Sequence, residues 1–220
     1  MLTLLLKLVS QLSVNPLTKT ELAQRVAIDI PNGSYVNLGI GLPTMVSNFI
    51  PSNSDVILHT ENGMLGMGPE ATAEQIDDEL INAGKIPVTE LLGASYFHHA
   101  DSFAMIRGGH IDICVLGAFQ VSFKGDLSNW HAGDPNDIPS VGGAMDLASG
   151  ATSTFVMMTL FDKDGKSKLV ESCSAPLTAL RCVTRIYSDF AIMDITSDDV
   201  EFVEVFGQSE AQLRDRIGLS

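Results

Sequence analysis

Cysteine is scarce in this chain. It has three in 220 residues, Cys114, Cys173 and Cys182, with no C-x-x-C pair among them. That excludes a disulfide framework and a thiolate zinc site, and leaves three small apolar side chains suited to a reducing compartment. The five histidines show neither H-E-x-x-H nor H-x-x-x-H spacing, so no metal site is expected. Positive charge is also short. Thirteen Lys and Arg stand against 27 Asp and Glu, for a net charge of -14. Nucleic acid is therefore excluded as a partner, because phosphate backbones are bound by Lys/Arg fields that this chain lacks. A phosphorylated small molecule is not excluded, since a few cations and helix N-termini can hold an anion inside an acidic protein. Long apolar runs are missing too. The most apolar stretch, Met1 to Leu12 (MLTLLLKLVSQL), is too short to span a bilayer and lacks the basic flank and cleavage site of a secretory signal. It reads as part of an N-terminal extension, residues 1–15, on a cytoplasmic protein with no membrane partner. There is no G-x-S-x-G elbow, no P-loop lysine and no three-glycine dinucleotide fingerprint.

What is present is apolar sequence in short pieces. Hydrophobic residues make up 45% of the chain and charged residues 18%, enough to bury a core and too little charge for a disordered chain. The length suits one α/β domain over residues 16–220. Leu22, Val26 and Ile30 share a face, which predicts a helix over Lys19 to Ile30, stopped by Pro31-Asn32-Gly33. Strands are expected at Tyr35 to Gly39, Val56 to His59, Ile111 to Gly117, Thr154 to Leu160, Arg185 to Ile195 and Glu201 to Phe206. A helix is expected to start at Met45, and another to span Ser209 to Ile217. Apolar strands without strict alternation predict an open, mostly parallel sheet covered by helices on both faces. The longest stretch with few helix or strand signals is Asn129 to Ser140, and such loops are often functional.

Three glycine-bearing segments are candidates for the ligand-binding edge of such a sheet. Asn37-Leu38-Gly39-Ile40-Gly41-Leu42-Pro43-Thr44 follows the first strand, where the glycines serve equally well as a plain structural turn. Glu61-Asn62-Gly63-Met64-Leu65-Gly66-Met67-Gly68-Pro69 follows the second. A carboxylate at the end of an apolar strand can cap a turn, or it can face a substrate, since the small residues beside it leave room. Val141-Gly142-Gly143-Ala144 presents successive backbone N–H groups without side-chain obstruction, which suits either a tight turn or an oxyanion site.

Together these segments resemble the β subunit of the two-subunit family I CoA transferases, which act on 3-oxoacids. The carrying motifs are Asn37 to Thr44, Glu61 to Pro69, Ile81-Asn82-Ala83-Gly84-Lys85, and Gly142 to Leu147 (GGAMDL), in the family's order. His98 to Phe103, Gly117 to Ser122, Asn129-Trp130-His131 and Ile138 to Val141 lean towards the members that act on 3-oxoadipate, with acetoacetate as the alternative acceptor. Pro176-Leu177-Thr178 is followed by Ala179-Leu180-Arg181 where relatives usually carry glycine.

The resemblance implies the CoA-transferase (NagB-RpiA-like) fold and a ping-pong reaction in which Glu61 is the nucleophile and carries a covalent glutamyl-CoA thioester. It implies that Asn37, Gly142, Gly143 and Ala144 serve the oxyanion or the acyl group, and that Gly39, Gly41, Asn62, Gly63 and Lys85 serve CoA. Coenzyme A is substrate and covalent intermediate, and no tightly bound cofactor is expected. The expected partners are an α subunit, in an α2β2 heterotetramer, succinyl-CoA and a 3-oxoacid, within the β-ketoadipate route of aromatic catabolism. A rival of another class is a non-catalytic acyl-CoA-binding subunit that keeps the fold; the intact Glu61 weighs against it.

Overall fold

The computed structural model describes residues 15–131, 142–197 and 199–219. The expectations for Met1 to Leu12, for most of the Asn129 to Ser140 loop and for Ile138 to Val141 fall outside these residues.

Helix α1 (Lys19–Asp29) begins with a capping box. Thr18 Oγ1 accepts the Glu21 N–H at 3.2 Å, and the Glu21 carboxylate accepts the Thr18 N–H at 2.8 Å, so two of the helix's orphan donors are satisfied. Leu22, Ala23, Val26 and Ala27 are buried along one side. Strand β1 (Tyr35–Leu38) follows, then a 3-10 helix (Leu42–Phe49), β2 (Ile57–Thr60), β3 (Met64–Glu70) and β4 (Val88–Tyr96). Helix α2 (His99–Arg107) leads to β5 (Ile113–Leu116), β6 (Gln120–Ser122) and β7 (Leu127–Ser128). Helix α3 (Ala144–Gly150) precedes β8 (Ser153–Met158) and β9 (Leu169–Val170); β10 (Val183–Ser188), β11 (Ala191–Ile195), β12 (Val200–Val205) and α4 (Glu210–Ile217) complete the order.

Nine strands form one sheet in the order β12-β11-β10-β8-β5-β1-β2-β3-β4. Its centre, β10 to β2 in that order, is parallel, and both flanks are antiparallel hairpin extensions. The expected mostly parallel sheet is therefore present. Successive residues of the central strands enter opposite layers. Val115, Phe155 and Met157 pack with Leu22 and Val26 of α1. Cys114, Leu116, Val156 and Met158 pack with Ile106 of α2 and Leu147 of α3. Burial on both faces is why these strands read as continuous apolar runs. A second sheet, β7-β6-β9, lies beyond the β5 and β8 ends.

Four differences from the sequence reading have local causes. The segment Arg185 to Ile195 is two strands, because the chain reverses between Ser188 and Ala191. The stretch 64–70, for which no strand was expected, is strand β3 with register shifts against β4. Gly66 adopts φ +82, and a Cβ on Gly68 would collide with Thr89, so glycine here marks bulged pairing and close backbone approach rather than an end of pairing. The helix expected from Met45 is a 3-10 helix that begins earlier, at Leu42. The short helices α2 and α3 and the small sheet carried no clear periodic signal.

Gly150, the last residue of α3, sits against the Ile106 backbone near the end of α2, and a Cβ there would collide with the Ile106 carbonyl oxygen. Gly150→Ala is expected to lower stability by about 1–3 kcal/mol through this overpacking, read from a denaturant midpoint.

Candidate active site

Parallel strands deliver their C-terminal ends, and the loops after them, to one edge. Glu61 stands directly after β2 at that edge. The turn at residues 60–63 is closed by the Gly63 N–H donating to the Thr60 carbonyl at 3.1 Å, and the Met64 N–H donates to Thr60 Oγ1 at 3.1 Å. Gly63 has φ +113, and a Cβ there would collide with the Phe97 carbonyl oxygen, so only glycine lets the turn lie this close to the chain leaving β4. The Phe97 N–H donates back to the Gly63 carbonyl at 3.0 Å.

A buried polar chain supports the same turn. Ser102, on α2, donates its hydroxyl to the Thr60 carbonyl at 2.7 Å and lies 2.8 Å from His59 Nε2. The Asn37 amide, on β1, donates to His59 Nδ1 at 3.0 Å and to the His59 carbonyl at 3.3 Å. The single Ser102 proton goes to Thr60, and Nδ1 accepts from Asn37. This network assigns the imidazole hydrogen to Nε2, donating to Ser102. His59 and Asn37 are each 1% exposed and Ser102 0%. Burial lowers the His59 pKa from 6.5 to about 4, so the ring is neutral at neutral pH and acts as a hydrogen-bond relay rather than a charge.

Above the turn lies a cleft of about 670 Å³ at the ends of β1, β2, β5 and β8. Among the described residues that line it, Glu61 is the single carboxylate, and Lys19 and Lys168 are the cations. A Cβ added to Gly143 would lie 3.0 Å from Glu61 Oε1, so the absence of that side chain leaves the carboxylate open to the cleft and brings the start of α3 against it. Glu61 also touches a second space of about 10 Å³, beside His59, Asn82 and Gly84, large enough for roughly one water. Burial raises the Glu61 pKa above the usual carboxylate value.

Of the residues expected to form the site, Gly39, Gly142, Gly143 and Ala144 line the cleft with Glu61. Gly142 and Gly143 lead into α3 at Ala144, and the first N–H groups of a helix have no acceptor within it. Asn37 is placed differently. Its amide N–H groups go to His59 rather than to Glu61, because it sits one strand over on β1, in register with His59. Gly41 (φ +96) shapes the turn before the 3-10 helix. Asn62 donates to the Ile81 carbonyl at 2.7 Å, and Gly63 is packed under Phe97. Lys85 is exposed at φ +63 in the tight turn of residues 82–86, where its N–H donates to the Asn82 carbonyl at 2.9 Å. These five shape the site's surroundings and do not line the large cleft. The sequence reading missed His59, Ser102, Lys19 and Lys168. Ser102 lies within the His98 to Phe103 motif, but nothing local marks Lys168, which only the topology brings to this edge.

The arrangement can present one partly desolvated carboxylate to a carbonyl compound, with backbone donors close by and two cations in the same cleft. For His59, the folded-state pKa lies below the unfolded one, so acid favours unfolding. The penalty is absent above about pH 6.5, grows as the pH falls, and is complete below about pH 4. Wild type is expected to lose on the order of 3 kcal/mol more stability than His59→Gln between pH 7 and pH 4, measured by urea denaturation.

Comparisons with known proteins identify the family. The family model for coenzyme A transferase matches residues 19–205. The chain is 59% identical over 189 residues to the β subunit of 3-oxoadipate CoA-transferase from Pseudomonas putida, covering 86% of this chain and 88% of that one. It is 53% identical to the same subunit from Acinetobacter baylyi, covering 94% and 96%. The β subunit of a probable succinyl-CoA:3-ketoacid coenzyme A transferase from Bacillus subtilis is 44% identical, covering 88% and 93%. Among solved structures, an acyl-CoA transferase of Escherichia coli O157:H7, in a thioester complex with CoA, superposes with a TM-score of 0.67 at 18% identity, covering 94% of this chain and 41% of that one. A decarboxylase shares the fold at a TM-score of 0.64 and 17% identity, covering 92% of this chain and 84% of the other. Family match and identity together show that this chain belongs to the coenzyme A transferase family.

Proposed function

We propose that this chain is the nucleophile-bearing subunit of a CoA transferase that moves CoA from succinyl-CoA to 3-oxoadipate. The observation that carries the reading is the placement of Glu61. It is the single carboxylate among the described residues of the cleft, half-buried, with the glycine backbone at Gly143 against its oxygen. The names of the relatives at 59% and 53% identity supply the acceptor acid.

The Glu61 carboxylate attacks the thioester carbonyl of succinyl-CoA, the C–S bond breaks, and a mixed anhydride and CoA thiolate result. The thiolate attacks the glutamyl carbonyl, the anhydride C–O bond breaks, and succinate leaves with a Glu61-CoA thioester behind it. The carboxylate of 3-oxoadipate then expels the thiolate, which attacks the new anhydride at the acceptor's carbonyl and frees Glu61. An ionised carboxylate needs no general base. Burial raises its basicity and strips the water that would blunt it as a nucleophile. Each attack develops an oxyanion, for which the backbone donors at Gly142, Gly143 and Ala144 stand close; one such donor is worth roughly 3 kcal/mol. Binding energy from remote parts of CoA offsets the strain of the anhydride.

The same reading holds that the catalytic domain spans residues 16–220, that no cofactor is tightly bound, and that an α subunit closes the open side of the cleft in an α2β2 assembly. Gly39 then borders the CoA path directly, with Asn62, Gly63, Gly41 and Lys85 behind it, and Asn37 acts through His59. The setting is cytoplasmic aromatic catabolism by the β-ketoadipate route. The Bacillus subtilis relative's name gives a 3-ketoacid as acceptor, and acetoacetate is the alternative acceptor of this reading.

The assembled complex, incubated with succinyl-CoA and no acceptor, is expected to show this chain heavier by one CoA, at Glu61, by peptide mass spectrometry. An unmodified Glu61 in a complex that still turns over would sink the reading. Glu61→Gln is expected to lower kcat by roughly 10⁴-fold or more. Because the folded-state pKa of Glu61 is raised, its ionised form costs stability above that pKa, so the same variant should melt higher than wild type at neutral pH and show no such gain in acid. As acceptor, 3-oxoadipate should exceed acetoacetate in kcat/KM by at least about tenfold, a discrimination of roughly 1.4 kcal/mol; the reverse order would assign the acetoacetate reaction.

A further inference from the structure

The chemistry at Glu61 leaves two features of the cleft unused, the cations Lys168 and Lys19. Lys168 is pinned by its backbone. Its N–H donates to the Leu160 carbonyl at 2.9 Å, and its carbonyl accepts the Val121 N–H at 2.9 Å, so it is fixed between the end of β8 and the small sheet. Its side chain is half-buried and lines the cleft near Met158 and Thr159. Burial lowers its pKa, against the opposing pull of Asp189 and Asp162, yet none of the described ion pairs includes it. A desolvated ammonium without a close counter-ion is costly, and a cation held that way facing a ligand cleft is suited to receive an anion. Lys19, in the first turn of α1, is exposed and borders the same cleft.

The distance fits one kind of anion. The order β8-β5-β1-β2 puts the ends of β8 and β2 three strand spacings apart, which is about 14 Å. Lys168 is held beside Leu160, two residues past β8, and a lysine side chain reaches about 6 Å from its Cα, which leaves a gap on the order of 8 Å to the Glu61 end. An extended acyl group of four to six carbons separates its two carboxyl carbons by about 4–6 Å, and a charge-assisted hydrogen bond of about 3 Å at the lysine brings the span close to that gap. The nearest phosphate of CoA is separated from the sulfur by the pantetheine arm, roughly 15 Å when extended, which overshoots it.

We propose that Lys168, assisted by Lys19, forms the subsite for the distal carboxylate of a dicarboxylic acyl group, so that the cleft selects a second negative charge one acyl length from Glu61. This rests on the CoA-transfer reading above. The test uses the assembled complex with its partner subunit. Lys168→Met is expected to raise KM for both succinyl-CoA and 3-oxoadipate by at least tenfold, while the inhibition constant of free CoA stays within twofold. Lys168→Arg should keep most of the wild-type KM, and Lys19→Met, at an exposed position, should raise the same two KM values by two- to threefold. A parallel rise in the inhibition constant of CoA would move the anion to a CoA phosphate and overturn the proposal. Unchanged KM values would overturn it equally, and Lys19→Met supplies that reading if Lys168→Met does not assemble. If wild type itself forms no thioester and transfers no CoA, the functional reading fails instead.

Discussion

The Thr60 carbonyl is where the sheet and the candidate site are joined. It accepts the Gly63 N–H at 3.1 Å and the Ser102 hydroxyl at 2.7 Å, so both lone pairs of one buried oxygen are used. The first bond folds the chain back after β2, and the second ties that fold to α2. Ser102 in turn takes a hydrogen bond from His59, and His59 one from Asn37 on the neighbouring strand. Three elements thus hold one peptide group, and Glu61 is the next residue. A buried network with nearly every group satisfied is rigid, because each member lost leaves another unsatisfied at a penalty of about 1–3 kcal/mol. Glu61 therefore stands on a fixed base, although its own side chain faces the cleft.

The electrostatics of the cleft run against those of the chain. The net charge is -14, yet the described residues lining the cleft carry two lysines and one carboxylate. An acidic protein that concentrates cations beside its one cleft carboxylate provides a local welcome for anions such as acyl-CoA and carboxylic acids. The neutral His59 belongs to the same balance. A protonated ring beneath Glu61 would stabilise the carboxylate and weaken it as the proposed nucleophile. Burial holds the His59 pKa at about 4, so that positive charge stays away at neutral pH.

Much of the sheet was legible from the chain. The central strands are buried on both faces, so β1, β2, β5 and β8 appear as mostly apolar runs ending at glycine, threonine or glutamate. Helix α1 was legible through Thr18, Glu21 and its apolar stripe. Strand β3 was not, because Gly66, Gly68 and Pro69 look like breakers in sequence; pairing with β4 through bulges overrides that preference. The meeting of Glu61 with Gly143 joins residues 82 positions apart and depends on α3 packing against α2. Sequence motifs pointed to both members, but no spacing rule predicts their approach. Asn37 shows the opposite case. Its position near the strand end was legible, while the bond from its amide to His59 follows from pairing in register with β2.

Fold alone does not choose the reaction here. A decarboxylase and CoA transferases share this architecture at similar TM-scores and under 20% identity. What can differ is the side chain at the end of β2 and what surrounds it. The proposed chemistry asks two opposed things of that side chain: enough desolvation to sharpen a weak nucleophile, and enough exposure to stay ionised and reach a thioester. Glycine at position 143 answers the second demand by removing the atom that would otherwise crowd Oε1. The packed turn over His59 and Thr60 answers the first, by closing the carboxylate's other side down to a space for about one water. A larger residue at 143 would bury the carboxylate further and block it, and a looser turn would hydrate it. The two faces of Glu61 are therefore set independently, one by α3 and one by the β2 turn.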